Sequence, residues 1–205
     1  MAKNEKTSKE SKGKLRDLAN FLYEAGQLKR VKRSGWWLLN INNPENVAEH
    51  SQRSAIVGYL LAKLEKLDDA GVNKVVLMCL FNDLHESRIN DLHKVGHRYI
   101  NFKEAETKAH KEQTEKLGEV GKEIFALHEE FQAQKTKEAV VARDADLLEN
   151  ALQAKEYMKI GYHDAQDWIN NIWQVIKTES AKELLCEIES SDPNDWWKGL
   201  KKIER

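Results

Sequence analysis

Proline is nearly absent from this 205-residue chain, with two in all, and glycine is sparse, with ten. An all-β fold, which turns every few residues, draws on both far more often, so their scarcity points to long helices. Cysteine is as scarce. Cys79 and Cys186 are too few for a disulfide framework or a cysteine zinc site, which makes a reducing, cytoplasmic setting the expectation. No apolar run reaches the roughly 18 residues that a membrane span needs, and residues 1–14 are rich in Lys, Ser and Glu, without the apolar stretch of a secretory signal. An excess of charge is missing too: 33 Lys+Arg against 34 Asp+Glu leave a net charge of -1. That balance argues against a protein built to hold nucleic acid by electrostatics. What is present is 40% hydrophobic residues, enough to bury a core, in a length that favours one domain.

The hydrophobic pattern is helical throughout. Residues 1–14 read as a solvated, flexible tail, and the domain proper as 15–205. Leu15, Leu18, Phe21, Leu22 and Leu28 recur at helical spacing. The chain is expected to leave that helix at Ser34-Gly35-Trp36-Trp37, after a short basic stretch that includes Lys29, Lys32 and Arg33 and reads as a solvated face. Asn46 is a suitable N-cap for a second helix over residues 47–67. Residues 72–84 are apolar almost all round and predict a buried central helix. Polar helices follow over 103–117 and 122–134, a long one over 136–160, and two or three more, the last opening at Asp192-Pro193. The expectation is an all-α, single-domain helical bundle.

Three residues stand inside otherwise apolar helical segments: His50, Asp83 and Asp146. Taken singly, each has a structural explanation. His50 reads as a satisfied helix histidine, Asp83 as a partner for Arg88, and Asp146 as an i,i+3 partner for Arg143. Taken together, on three helices that converge in a bundle core, they are a metal-site candidate. Nitrogen and carboxylate ligands suit Mn, Fe, Co, Ni or Zn. Asp83 also belongs to the polar run Asn82-Asp83-Leu84-His85-Glu86 at the end of the apolar segment, where ionisable groups are costly unless paired or bound.

Three blocks, NPENVAEHS (residues 43–51), LFNDLHESRINDLHK (80–94) and ARDADLLENALQAKEY (142–157), resemble the HD-superfamily metal-dependent phosphohydrolases. The chain is most similar to their 5'-deoxynucleotidase branch. LKRVKRSGWWL (28–38) and HEEFQAQKTKEA (128–139) fit the same branch, so the resemblance runs over roughly residues 15–182. It implies a single HD-domain bundle, a divalent transition metal and a nucleoside monophosphate substrate, with hydrolysis to nucleoside and phosphate. It further implies a homodimer. The metal set it implies is His50, Asn82, Asp83 and Asp146, with Asp146 preferred to Asp144, which reads as solvated or structural. Glu86 matches the acidic residue that orients or activates the attacking water, Asp91 one that contacts the sugar, and Trp36 an aromatic beside the nucleoside. Arg33, Arg53 and Lys94 are the candidate phosphate-binding cations.

The departure from the family pattern is Asn82, which stands where the name-giving histidine is expected. A carboxamide oxygen is a weaker ligand than imidazole for a late first-row metal, so a silenced or substrate-trapping nucleotide-binding module is the alternative. On a continuing helix His85 would point about 200° away from Asp83 and could not replace the lost ligand. His93, His97 and His110 are expected at the surface. Trp168, Trp173, Trp196 and Trp197 are expected in packing or dimer contacts.

Overall fold

The computed structural model describes residues 2–200, with residues 2–11 described by their backbone alone. Among the described residues the elements are helical, with one isolated antiparallel bridge, Lys32 to Asn46. The helices are α1 (Ala2–Ala25), α2 (Val47–Leu64), α3 (Asp69–Phe81), α4 (Glu86–Ile89), α5 (Lys94–His97), α6 (Phe102–Thr114), α7 (Glu119–Ala133), α8 (Lys137–Lys159), α9 (Gln166–Trp173) and α10 (Glu179–Ser190). No helix among the described residues is long and apolar enough to cross a membrane.

Two expectations change at the ends. The backbone is helical from Ala2, so the segment expected as a tail continues α1; nothing there breaks a helix. Asp192-Pro193 opens no α-helix, because the Asp192 carboxylate is taken by Lys159, Lys198 and the amide of Asn194. A short 3-10 turn over Asp195–Trp197 follows it. Residues 201–205 lie outside the described residues.

Contacts divide the chain into two compact units, residues 1–52 with 80–135 and residues 53–79 with 136–205. The core of the first unit is built from Leu28, Val31, Val47, Leu84 and Ile124. Phe21, Ala25, Phe81 and Leu117 pack against it. The start of α2 is fixed by a reciprocal cap: Asn46 Oδ1 accepts from the Glu49 amide, and Glu49 Oε2 accepts from the Asn46 amide. Where α6 and α7 meet, a Cβ on Gly121 would lie 1.9 Å from the carbonyl oxygen of Thr114. Backbone cannot yield cheaply, so Gly121→Ala is expected to cost about 3 kcal/mol, a fall of roughly 6–12 °C in Tm for a chain of this size. A thermal melt checks this, and an unchanged Tm would contradict the close approach.

In the second unit, α8 buries Ala142, Ala145, Leu148, Ala151 and Ala154 fully and packs against α9 and α10. Asp144 is fully buried as well. Its carboxylate accepts from the amides of Lys177 and Thr178, at 3.1 and 2.7 Å, and so fastens the entry to α10. Asp144 is therefore structural and not solvated. α3 buries Val72, Val75, Met78 and Cys79, but Leu77 and Leu80 are about two-fifths exposed, so this helix is enclosed on one side only.

Candidate active site and metal centre

The first unit brings together most of the residues singled out in the sequence. The amides of Val47 and Arg33 donate to the carbonyls of Val31 and Glu45, at 2.9 and 3.1 Å. These bonds clamp residues 31–33 to the N-terminus of α2 and set Arg33 near His50, one turn into that helix. The chain then enters a 3-10 turn, Ser34–Leu39.

The other side of the site is the end of α3. The helix stops at Phe81, and residues 82–85 form turns, with the Glu86 amide donating to the Asp83 carbonyl at 3.0 Å. Asp83 and Glu86 are both buried. Asp83 Oδ2 lies 3.4 Å from His50 Nε2 and 3.7 Å from Arg33 Nη1. Asn82 donates from Nδ2 to Asp83 Oδ1 at 2.8 Å. Asp91 accepts a short hydrogen bond from the Ser34 amide, which ties the segment after α4 to the 3-10 turn. Arg88 is not the partner of Asp83; it pairs with Glu24 and Glu112.

The electrostatics are those of a crowded acidic pocket. Burial, and then the carboxylates of Asp83 and Asp91, push the Glu86 carboxyl well above the usual range, against the pull of Arg33 and His50. Glu86 Oε2 and Asn82 Oδ1 are buried and have no hydrogen-bond partner. Buried acceptors without donors are costly, and a cation is the species that satisfies several at once. His50 and Asp83 offer a nitrogen and an oxygen donor close together, a chemistry that fits a divalent first-row ion.

In the comparisons, the HD domain family matches residues 25–188. The chain belongs to the HD domain family. It is similar to the 5'-deoxynucleotidase HDDC2 of Dictyostelium discoideum, at 40% identity over 68% of this chain and 76% of that protein. The 5'-deoxynucleotidase HDDC2 of Bos taurus is 34% identical over 85% of each chain. Among solved structures, a conserved hypothetical protein from Pyrococcus furiosus superposes with a TM-score of 0.72 at 29% identity, covering 84% of this chain and 99% of that one.

Against this HD frame the remaining sequence candidates separate. Trp36 is only 1% exposed, and its Nε1 donates to Glu45 Oε1 at 3.0 Å, whereas Trp37 is half exposed. Lys94 is exposed at the start of α5. Arg53 sits in the second unit, where its guanidinium is engaged by Glu149, Gln153 and Glu156 at 2.7–3.0 Å. Two of these acceptors are carboxylates, so the charge of Arg53 is already balanced within the second unit. Asp146, also in the second unit, is on α8, and its Oδ2 accepts from Arg143 at 3.2 Å.

The sequence reading missed a group of three buried histidines, His85, His110 and His128. His110 is fully enclosed and not at the surface; His93 caps α5 and His97 is exposed, so no triad forms with them. The rings of His110 and His128 stack at 4.0 Å, and that of His85 lies 5.2 Å from His110. The helix ends at Phe81, and His85 turns into this group, away from the Asp83 carboxylate, as a continuing helix would also have placed it. Burial, and then the neighbouring charges of His110 and Lys103, hold His128 down at about 3. An unfolded histidine titrates near 6.5. Between those values the unfolded chain binds a proton that the folded chain refuses, so stability rises with pH across that window and is lost on acidification. His128→Phe, which keeps the stack, is expected to move acid unfolding to lower pH. Circular dichroism against pH checks it; an unchanged midpoint would count against a buried neutral His128.

Proposed function

We propose that the chain is a metal-dependent phosphohydrolase that releases phosphate from deoxynucleoside 5'-monophosphates. The observation that carries this reading is the buried turn after α3. There Asp83 faces His50 and Arg33 while Glu86 is held beside it. The names of the HDDC2 relatives support the substrate class.

His50, Asn82 and Asp83 would hold the metal, with Asp146 added from its place in the third sequence block. A divalent ion there would supply Lewis-acid chemistry, neutralising phosphate charge and acidifying a water. The protein's own groups do the rest. Arg33, beside Asp83, places its guanidinium against the phosphoryl oxygens, and Lys94 adds a second positive charge from the segment after α4. Glu86 orients the attacking water and takes its proton, a task suited to a carboxyl whose proton affinity is already raised. Asp91, fixed by the Ser34 amide, faces the sugar. Trp36, buried beneath this surface, supports the nucleoside side from behind by its bond to Glu45.

A second reading is favoured by Asn82 itself. If this carboxamide stands in the place of the family's histidine, the site holds metal weakly and the chain binds nucleotide with little turnover. A panel of deoxy- and ribonucleoside monophosphates, assayed for phosphate release with Mn, Co, Fe, Ni or Zn after chelation, tests the main reading. Metal-dependent release from the deoxy series supports it. Binding without release supports the second reading, and neither binding nor release overturns both.

A homodimer goes with this function. Ile56, Tyr59, Leu60 and Leu64 on α2 are each about half exposed, more apolar surface than one helix of a monomer usually leaves to water. Among the late tryptophans, Trp173 is bonded to Glu189, while Trp196 and Trp197 are exposed and available to such a contact. Light scattering is expected to give twice the chain mass, and Leu60→Glu the single mass; a monomeric parent chain would contradict the assignment. A reducing, cytoplasmic setting is also part of this reading, since Cys79 and Cys186 are both free thiols.

A further inference from the structure

The carbonyl of Asn82 is one of the last acceptors of α3, where no intrahelical amide is available. Helices commonly close such ends with a glycine and backbone amides, but no glycine follows here. Two imidazoles take its place. His110 Nε2 lies 2.9 Å from the Asn82 oxygen, and His85 Nδ1 lies 3.1 Å from it. Since a carbonyl only accepts, each ring must present N–H at that atom, which fixes both tautomers.

The rings are themselves held. His128 stacks on His110, and Phe102 meets His85 edge-on at 5.9 Å. One turn along α6 from His110, Gln113 donates from Nε2 to the carbonyl of Leu84 at 2.9 Å. α6 thus grips the turn at two carbonyls, on either side of Asp83. The Asn82 oxygen belongs to the planar peptide unit that joins Asn82 to Asp83. Fixing the oxygen fixes the plane from which both side chains leave, and Glu86 follows through the hydrogen bond its amide N–H donates to the Asp83 carbonyl.

We propose that His110 and His85 are positioning residues: together they orient the peptide between Asn82 and Asp83, and so aim the groups that bind metal and water. This rests on the reading of the turn as the metal end of a phosphohydrolase site. Neither histidine touches substrate. Their contribution passes through the backbone, as outer-shell partners act on metal ligands elsewhere.

The test compares His110→Gln, whose amide N–H reaches the same place, with His110→Phe, which fills the space but cannot donate. Four readouts are taken: thermal melting, hydrogen exchange of the peptide covering residues 82–86, Mn2+ affinity, and kcat and KM for a deoxynucleoside monophosphate. For the Phe variant the expected result is a cooperative melt with faster exchange in the turn. Mn2+ binding and kcat should fall by about 10–100-fold, with KM changed less than either. The Gln variant should stay close to the parent chain in all four. Equal exchange and equal Mn2+ affinity in the two variants would overturn the proposal. If the parent chain neither binds Mn2+ nor releases phosphate, the metal reading fails, and the exchange contrast still decides whether the imidazoles order the turn. Should His110→Phe not fold, His85→Asn and His85→Leu make the same comparison at the other donor.

Discussion

Asp83→Ala is expected to lower phosphate release by about a thousandfold or more. The carboxylate stands between His50 and Arg33, so its loss removes the proposed metal ligand and leaves the guanidinium facing an imidazole. Lewis-acid stabilisation of a phosphoryl group is worth several kcal/mol, and about 4 kcal/mol corresponds to about a thousandfold in rate. Asp83→Asn preserves the shape and is expected to lose nearly as much, because charge and not volume is what the site requires. Steady-state phosphate release, with metal content measured on the same samples, checks both. A variant that keeps full activity would remove Asp83 from the centre of the site.

Glu86→Gln is expected to reduce kcat by about 10²–10⁴-fold, the range of a general acid–base group, while leaving metal content near that of the parent. The two substitutions therefore separate the two roles proposed for one turn: metal binding for Asp83, and handling of the water and its proton for Glu86. Glu86→Gln suits this purpose because the carboxyl is almost enclosed and the amide keeps its volume. Loss of metal together with rate would instead make Glu86 a ligand, and an unchanged kcat would exclude it from the proton transfer.

The helices were legible where apolar residues recur at helical spacing. α2, α3, α7 and α8 fall within a few residues of their expected spans, and the Asn46 cap is where turn chemistry places it. Periodicity was silent where the buried face is polar. α6 encloses His110, Gln113 and Thr114, which hydropathy assigns to solvent, because hydrogen bonds and not apolar area stabilise that contact. The same blindness hid Asp144, whose burial is justified by backbone amides more than thirty residues away in sequence. Arg53 is the opposite case: its charge signals phosphate in the sequence, and in the fold Glu149, Gln153 and Glu156 on α8 bond its guanidinium. In the candidate site, the ordered blocks pointed to His50, Asp83, Glu86 and Asp91, and folding brings the last three into one electrostatic neighbourhood with Arg33 and His50. What spacing alone could not supply was the burial of His110 and His128, the two rings beside which His85 sits.

The most direct measurement is metal content by mass spectrometry on the purified chain and on Asn82→His, each assayed for phosphate release from deoxynucleoside monophosphates. The parent chain is expected to carry a divalent metal and turn over, and the histidine variant to hold metal more tightly and work faster. A parent chain without metal or turnover, in which Asn82→His restores neither, would contradict the metal-dependent reading.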